Sequence, residues 1–433
     1  MYPIAWKLLL SLLFLGYATW YAKTHFYRDP GSAFFDPERA YEQRYSLTRR
    51  KEVQQFIESR SSTNDTPDRH AESSSKGATL CVGISSVRRT KEQYLETTIA
   101  SLLTGLTTPE RADLHLTALI AEPDATIHPA WNTPWLHQAL DDLYTYNTTA
   151  KQTAHLSSLK NAGRYSEKGI FDYTHALSRC YESGAPYIGM FEDDILFADG
   201  WLVRTLQGLR GLESKTAGDM NSWLFMRLFN QERSTGWASS RIGGNNEFWI
   251  ILGIGLGIIA IAAVAGALIR RLQKRQWQSQ RQRTKTLFLE PSTLFVLVCV
   301  LNPALVLLFF QCGKASVLPP APGVFEESFG CCSQAMVFPR VQAPLVMEYL
   351  RERGKGQIDL MLDRVAEETA LARWALYPVL VQHIGVDSAR KTKEKEAQAI
   401  WSMAYEDLDE DVLARMHSKM VDEYYGHEDI NPG

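Results

Sequence analysis

The sequence predicts an α/β fold with a largely parallel sheet, interrupted by a membrane hairpin and preceded by a further membrane helix. Between residues 78 and 247, short apolar runs alternate with helical patterns, as in units where a helix connects two parallel strands. Two uncharged runs of 22 residues each, 248–269 and 291–312, follow this region. We therefore expect one α/β domain in two parts, 78–247 and 313–400, with the hairpin 248–312 between them.

Three apolar runs mark the expected strands. The first is ATLCVGI from Ala78, the second extends from Leu114 to Glu122, and the third is APYIGMFEDD, which ends at Asp194. A helical pattern follows the first run through Leu103, and EKGIFDYTHALSRCYESG predicts a helix before the third. Ligands of parallel sheets bind beyond the carboxyl ends of the strands, so the residues after these runs are the candidates for chemistry.

Length and charge limit the possible functions. A chain of 433 residues is long enough for one large domain or two ordinary ones. The net charge of −3 is not that of a basic nucleic-acid-binding protein, so no nucleic-acid partner is expected.

The two long uncharged runs are interpreted as membrane-spanning helices. A helix needs about 20 apolar residues to cross the bilayer core, although a pair of buried core helices is the alternative. A third run, Leu8 to Ala22 between Lys7 and Lys23, has 15 uncharged residues. No A-x-A-like cleavage site follows it, which favours an uncleaved signal anchor at 1–23 over a signal peptide.

The segment between the two later spans sets the expected topology. It is short and basic, and its cations are Arg270, Arg271, Lys274, Arg275, Arg281, Arg283 and Lys285. Such a loop stays on the cytoplasmic side. The N-terminus is then cytoplasmic as well, and residues 24–247 and 313–433 lie on the lumenal side.

The segments outside the domain and the hairpin are interpreted as connecting or terminal regions, and the cysteines as possible disulfide partners. Residues 24–77 are interpreted as a stem with a polar, Ser-rich flexible linker, and 401–433 as an acidic C-terminal tail. Four of the six cysteines would face an oxidising lumen and could form disulfides, with the connectivity left open: Cys81, Cys180, Cys331 and Cys332.

Three adjacent acids, Glu192, Asp193 and Asp194, follow the third strand, and the apolar sequence resumes directly after them. A solvated acidic turn is the ordinary interpretation of such a cluster. Between two apolar runs, however, like charges are costly unless a cation compensates them. Mg²⁺ or Mn²⁺ prefers oxygen ligands and commonly links protein carboxylates to substrate phosphates, so a nucleotide-diphosphate sugar would suit the site.

The sequence around these acids resembles that of a known family. FEDDILFADGW resembles the D-x-D metal motif of GT-A glycosyltransferases in an E-D-D form. KGIFDYTHAL, IDLMLDRV and YPVLVQHIG resemble segments of the branching N-acetylglucosaminyltransferases of the fourth type. The closer similarity is to the Golgi family that adds N-acetylgalactosamine to the glycan of GPI anchors (post-GPI attachment to proteins factor four), whose GT-A domain is also interrupted by a membrane hairpin.

The resemblance implies a GT-A-like, Rossmann-like domain in a multi-pass Golgi membrane protein. It further implies a metal-dependent inverting transferase with Mn²⁺ or Mg²⁺ as cofactor and UDP-N-acetylgalactosamine as donor. The acceptor would be the mannose core of a GPI anchor at the bilayer. An N-acetylglucosaminyltransferase of the N-glycan branching type and a catalytically inactive membrane adaptor remain the alternatives.

The resemblance also implies positions for the binding residues. Metal and diphosphate would be held by Glu192, Asp193, Asp194 and His383. The nucleotide sugar would be contacted by Ser85, Arg88, Arg89, Glu122, Asp124, Lys168, Asp172 and Tyr173. For the arginines and Lys168 the alternative is a solvated side chain, and for His383 it is a core histidine.

The catalytic base is expected in QIDLMLDRV, after the hairpin. An inverting transfer needs a carboxylate that takes the proton of the acceptor hydroxyl. Asp359 and Asp363 are four residues apart and so lie on one helical face. The resemblance favours Asp359, whose alternative role is a helix N-cap.

Overall fold

The computed structural model describes residues 4–62, 77–239, 241–275, 290–327, 330, 332–386 and 400–426. The chain divides into two compact units, one formed by residues 1–41 with 235–319 and the other by 42–234 with 320–433. Most of the predicted linker, 63–76, and most of the basic loop, 276–289, lie outside the described residues.

The second unit contains the β-structure. The strands among its described residues are β1 Leu80–Ser86, β2 Leu114–Ile120, β3 Asp142–Tyr144, β4 Tyr187–Phe191, β5 Ile195–Phe197, β6 Trp223–Arg227, β7 Gly323–Glu326, β8 Ala335–Pro339, β9 Ala372–Tyr377 and β10 Val381–His383.

Eight of these strands form one mixed sheet in the order β3-β2-β1-β4-β8-β6-β9-β7. Only β8 and β7 run antiparallel to their neighbours, so β1, β2, β4 and β6 end at the same edge. The other two strands, β5 and β10, form a separate antiparallel ribbon. The prediction of an α/β fold with a mostly parallel sheet is confirmed.

Helices occur throughout the chain. Their bounds are α1 Ile4–His25, α2 Tyr45–Ser62, α3 Leu95–Leu103, α4 Thr108–Ala112, α5 Pro134–Ala139, α6 Ala150–Asn161, α7 Tyr165–Glu182, α8 Trp201–Lys215, α9 Glu247–Arg275, α10 Pro291–Val296, α11 Asn302–Gln311, α12 Lys314–Val317, α13 Ala343–Arg353, α14 Ile358–Thr369, α15 Met403–Glu406 and α16 Glu410–Tyr425. A π-helical turn, Leu297–Leu301, connects α10 to α11.

Helices cover both faces of the sheet, which explains why its central strands are apolar without alternation. One apolar cluster includes side chains of α3 and α8, and the other includes side chains of α7, α13 and α14. A disulfide between Cys81 of β1 and Cys180 of α7 connects strand and helix on the second face. Gly83 lies beside this disulfide, and a Cβ there would be 3.3 Å from Met190 Sδ and 3.5 Å from Cys180 Sγ.

In the described part of the first unit, three helices are long and apolar enough to cross a membrane: Ile4–His25, Glu247–Arg271 and Pro291–Gln311. Lys7 Nζ donates to Glu290 Oε2 at 2.5 Å and to Ser292 Oγ at 2.7 Å. At the opposite ends of the same helices, the Ala33 amide donates to the Gln311 carbonyl at 2.8 Å. The first and third apolar helices therefore run in the same direction.

The C-terminal residues 402–425, interpreted above as part of an acidic tail, form α15 and α16 within the second unit. Leu413, His417 and Tyr424 are buried, and their spacing places them on one face of α16. The acids that dominate the composition of this segment conceal that apolar face. Residues 427–433 lie outside the described residues.

Candidate active site

The candidate site lies at the edge where β1, β2, β4 and β6 end. Asp193 and Asp194 directly follow β4, and both are buried. Arg89, from the loop after β1, contacts both carboxylates. Its Nη1 donates to Asp193 Oδ2 at 2.9 Å, and its Nη2 donates to Asp193 Oδ1 at 2.7 Å and to Asp194 Oδ2 at 2.9 Å. A buried arginine is therefore the cation that compensates the acids within the protein.

A chain of hydrogen bonds fixes Asp193 from its other side. The Ala130 amide donates to His128 Nδ1 at 3.2 Å, which leaves the proton of a neutral His128 on Nε2. Burial lowers the pKa of His128, the nearby arginines lower it further, and the neutral form is thereby favoured. His128 Nε2 lies 3.1 Å from Ser86 Oγ, which in turn donates to Asp193.

Thr98 of α3 holds the backbone that follows the acids. Its hydroxyl donates to the Asp193 carbonyl at 2.8 Å and accepts from the Ile195 amide at 3.2 Å. The turn from β4 into β5 is thus attached to α3. These hydrogen bonds fix the backbone on both sides of Asp194 and so orient its side chain.

Asp194 faces His383 across the β5–β10 ribbon. Asp194 Oδ2 lies 3.6 Å from His383 Nε2, and the Ile384 amide donates to the Asp194 carbonyl at 2.9 Å. Burial raises the pKa of Asp194, but His383 and Arg89 together outweigh this and lower the pKa to about 2. Gly385 makes the approach possible, since a Cβ there would lie 2.1 Å from Asp194 Oδ2.

The donor atoms near Asp194 fit a divalent cation that a substrate also coordinates. Asp194 Oδ1 is buried and has no hydrogen-bond partner among the described residues, and His383 adds a nitrogen ligand. Asp193 is already occupied by Arg89 and Ser86, and Glu192 Oε1 accepts from Ser333 Oγ at 2.7 Å. No group of three or more potential His, Cys, Asp or Glu ligands occurs within the described part of the chain. Phosphate oxygens and water would have to complete the coordination, as is common for Mg²⁺.

Glu122, directly after β2, organises the loop that carries the arginines. It is fully buried, and its carboxylate accepts from the Arg88 amide at 2.9 Å and from Lys160 Nζ. The Arg88 side chain is exposed, in contrast to that of Arg89. Asp124 is exposed and caps a short 3₁₀ helix by accepting from the Thr126 amide at 3.0 Å, which is a structural role.

Lys168 and Asp172 form a buried ion pair near the end of β2. Lys168 Nζ donates to Asp172 Oδ2 at 2.7 Å, to the Ala121 carbonyl at 2.7 Å and to Tyr146 Oη at 2.8 Å. Tyr146 Oη donates in turn to Asp172 Oδ1 at 2.6 Å. These groups therefore bind one another.

Two further residues that the sequence predicts to contact the nucleotide sugar are Tyr173 and Ser85. The Tyr173 hydroxyl is buried without a hydrogen-bond partner among the described residues, and burial raises its pKa. Ser85 is half-buried within β1, next to Ser86, which makes the contact to Asp193.

The two candidate bases lie in the first half of α14, and Asp359 belongs to its first turn. This helix leads directly into β9, which is parallel to β6, so its first turn lies at the edge where the parallel strands end. Asp363 Oδ1 accepts from Arg227 Nη2 at 2.7 Å and lies 3.3 Å from Arg373 Nη1. Burial raises the pKa of Asp363, and the two arginines act against this increase. Asp359 is half-exposed, and its Oδ1 accepts from the Leu360 amide at 2.9 Å.

A comparison with known protein families identifies the family of the chain. The family model of the GPI-N-acetylgalactosamine transferase PGAP4 matches residues 80–382. The chain belongs to this family. It is therefore a glycosyltransferase, which requires a sugar donor and a glycan acceptor. No curated protein matches the chain significantly.

The match includes most of the site but not all of it. Arg89, Asp194 and Arg227 lie inside the matched range, whereas His383 is the first residue beyond it. The whole segment 402–425 also lies outside, although it packs within the same compact unit.

Sequence reasoning missed several residues of the site: Ser86, Thr98, His128, Arg227 and Glu327. Ser86 lies between Ser85 and Arg88, which were predicted to contact the nucleotide sugar, but Ser86 itself was not predicted. Arg227 is fully buried at the end of β6 and donates to Glu327 Oε2 at 2.8 Å as well as to Asp363. An arginine at the end of the apolar run WLFMR was the available signal, because a buried arginine requires an acidic partner.

Replacement of Arg89 by Met should destabilise the protein strongly, because two buried carboxylates would lose their cation. Removal of one partner from a buried ion pair typically costs about 3–5 kcal/mol. Thermal unfolding of the purified full-length protein in detergent measures the effect. Arg88→Met, one position earlier, is the matched control and should change stability by no more than about 0.5 kcal/mol, because its side chain is exposed. Equal effects of the two substitutions would contradict the role given to Arg89.

Proposed function

We propose that the protein transfers N-acetylgalactosamine from UDP-N-acetylgalactosamine to the mannose core of GPI anchors. The proposed enzyme is metal-dependent and inverting, has a GT-A fold, and acts in the lumen of the Golgi. Family membership supports the sugar and the acceptor. The observation that carries the mechanism is the buried Asp194 Oδ1 beside His383; this oxygen has no hydrogen-bond partner in the part of the chain that the structure describes.

Asp194 and His383 are the residues that would hold Mn²⁺ or Mg²⁺. When bound, the ion neutralises charge that develops on the leaving diphosphate. Arg89 and Ser86 bind the Asp193 carboxylate, and Thr98 fixes the backbone that follows it. Glu122 and Lys160 hold the loop after β1 against the end of β2, which gives the nucleotide a rigid wall.

Asp359 is the proposed base for the acceptor hydroxyl. Both candidates lie on α14, but Asp363 Oδ1 is shared by the guanidinium groups of Arg227 and Arg373. Those contacts occupy lone pairs that a base needs, so Asp363 is assigned to hold the start of α14 against β6. The raised pKa of Asp363 makes it the second candidate.

The proposed topology places the N-terminus and the basic loop in the cytosol. The contact of Lys7 with Glu290 supports it, since it places the N-terminal end of α1 beside the end of that loop. Residues 24–247 and 313–433 then lie in the lumen, where the disulfide between Cys81 and Cys180 is stable.

Transfer can be tested with the purified full-length protein, a GPI acceptor and a panel of UDP-sugars, with the product identified by mass spectrometry. UDP-N-acetylgalactosamine should be the preferred donor. Turnover should fall at least ~100-fold on chelation and in Asp194→Asn, because the ion provides several kcal/mol of charge stabilisation. Asp219→Asn, at an exposed turn, is the matched control and should retain wild-type turnover. Undiminished transfer in excess chelator would exclude the metal-dependent mechanism, and preference for another donor would change the sugar assignment.

Asp359→Asn should lower kcat by about 10²- to 10⁴-fold while UDP affinity stays near that of the wild type, because Asn keeps the shape but lacks basicity. Asp363→Asn should have a smaller effect on kcat and a larger one on thermal stability, since its carboxylate compensates buried Arg227. The reverse ranking of the two kcat values would assign the base to Asp363. Near-wild-type turnover of Asp359→Asn would leave Asp359 only a structural role.

A tag inserted near Gln278 should be accessible to protease in intact vesicles, whereas a tag at the C-terminus should be protected. The physical reason is that the seven cations of the loop retain it on the cytoplasmic side. Identical accessibility of the two tags would contradict the two-sided arrangement.

A further inference from the structure

The C-terminal segment 402–425, which we name the C-terminal clamp, reaches the ribbon that carries His383. Ser402 pairs with Gln382 through two hydrogen bonds. The Ser402 amide donates to Gln382 Oε1 at 3.0 Å, and Gln382 Nε2 donates to the Ser402 carbonyl at 2.9 Å. Both residues are fully buried. The side-chain amide of Gln382 is therefore held by a segment that lies outside the family match.

Glu406 connects this pair to a third part of the chain. Its Oε1 accepts from Gln382 Nε2 at 2.8 Å. Its Oε2 accepts from the Arg44 amide at 2.5 Å, the Ser46 amide at 3.2 Å and the Ser46 hydroxyl at 3.0 Å. Glu406 is 2% exposed, so one buried carboxylate joins the start of α2 to β10.

A second buried carboxylate fixes the start of the C-terminal clamp. Glu232 Oε1 accepts from the Ser402 hydroxyl at 2.8 Å and from the Ala404 amide at 2.9 Å. Tyr405 is fully buried and packs on Tyr45 with 5.2 Å between ring centroids. The clamp therefore has its own anchorage and is able to hold Gln382 in place.

The other end of the C-terminal clamp is fixed to the chain just after the acids. His417 Nδ1 lies 3.1 Å from Asp199 Oδ1, and its Nε2 lies 2.9 Å from Glu110 Oε2. Gly200 gives His417 room, since a Cβ at its positive φ of 66° would lie 3.1 Å from the ring. Asp199 is five residues from Asp194, so both strands of the β5–β10 ribbon are attached to the same segment.

The alternation of side chains along β10 relates the contacts of Gln382 to the position of His383. Gln382 pairs with Leu196 in the centre of the ribbon, and His383 pairs with Ile195. Successive side chains of a strand point to opposite faces. The C-terminal clamp therefore binds β10 on the face opposite to that on which His383 meets Asp194.

We infer that Glu406 is a positioning residue that acts through Gln382 to hold His383 against Asp194, and that the C-terminal clamp is part of the catalytic unit. This inference rests on the proposed function, in which His383 and Asp194 bind the divalent cation. Supporting residues behind a metal ligand typically contribute 10- to 100-fold to metal affinity.

Glu406→Gln in the full-length protein tests the inference. A glutamine at this position cannot accept from both sides, because its amide nitrogen would face either Gln382 Nε2 or the donors at Arg44 and Ser46. Mn²⁺ affinity in the presence of UDP, measured by electron paramagnetic resonance of free Mn²⁺, should fall 10- to 100-fold. At saturating Mn²⁺, kcat should recover most of its wild-type value. Asp407→Asn, the neighbouring exposed carboxylate, is the matched control and should leave both quantities unchanged.

Amide hydrogen exchange gives a readout that does not depend on activity. Exchange in Glu406→Gln should increase at residues 195–197 and 381–386 and stay at wild-type rates in β1, β2 and β4. Unchanged exchange in the ribbon with unchanged Mn²⁺ affinity would overturn the inference. So would a uniform increase over the whole sheet, which would make Glu406 a general stability residue.

Two further experiments distinguish failure of this inference from misfolding of the variant and from failure of the proposed function. Gln382→Met removes the same contacts from the strand side and should reproduce the changes of Glu406→Gln, including in the event that the latter fails to fold. If Gln382→Met folds and leaves exchange and Mn²⁺ affinity unchanged, the inference is wrong. Absence of Mn²⁺ binding by the wild-type protein would refute the proposed function, whereas the exchange data would still decide whether the C-terminal clamp orders the ribbon.

Discussion

Two adjacent carboxylates, Asp193 and Asp194, are buried together at the end of β4, and this constraint determines much of the surrounding structure. Like charges in a buried position are stable only when cations and hydrogen-bond donors are fixed beside them. Arg89, Ser86 and His383 supply these groups from the loop after β1, the end of β1 and β10. One carboxylate is thereby saturated by the protein, while Asp194 keeps a buried oxygen without a partner among the described residues. In the proposed function, this division of roles leaves Asp194 as the acid that would bind a cation shared with a diphosphate.

The membrane hairpin interrupts the sequence of the sheet but not its hydrogen bonding. β8, which follows the hairpin, inserts between β4 and β6, which both precede it. The amide of Glu192 donates to the Gln334 carbonyl at 2.8 Å, so the segment before β8 also reaches the acids. Arg227 of β6 is likewise paired with Glu327 and Asp363 from the later part of the chain. Both parts of the α/β unit therefore contribute residues to the site, and the family match includes residues on both sides of the hairpin.

The sequence was sufficient to predict those features that depend on local pattern. The presence of β1, β2 and β4, the three membrane-spanning candidates and the acids after β4 follow from apolar runs and from the charges that end them. The strands end at Ser86, Ile120 and Phe191, two or three residues from the ends of the predicted runs. The partner of the acids could not be predicted, since Arg89 lies 104 residues before Asp193 and an exposed arginine has the same local sequence signal. Asp359 and Asp363 share one helical face, so their spacing alone did not rank them, whereas the structure distinguishes them by placing Arg227, 136 residues from Asp363, beside one of them. The acidic composition of residues 402–425 likewise concealed the buried Ser402, Glu406 and His417, which bind partners outside this segment.

Calorimetric titration of UDP into the purified full-length protein tests most directly whether Asp194 and His383 form a cation site for the diphosphate. Mn²⁺ should increase the UDP affinity of the wild-type protein at least ~10-fold, because an ion held by protein ligands contributes several kcal/mol at a phosphate. In Asp194→Asn, the UDP affinity with Mn²⁺ should equal that without it. A wild-type affinity for UDP that is the same in Mn²⁺ and in chelator would show that Asp194 and His383 form no cation site for the diphosphate.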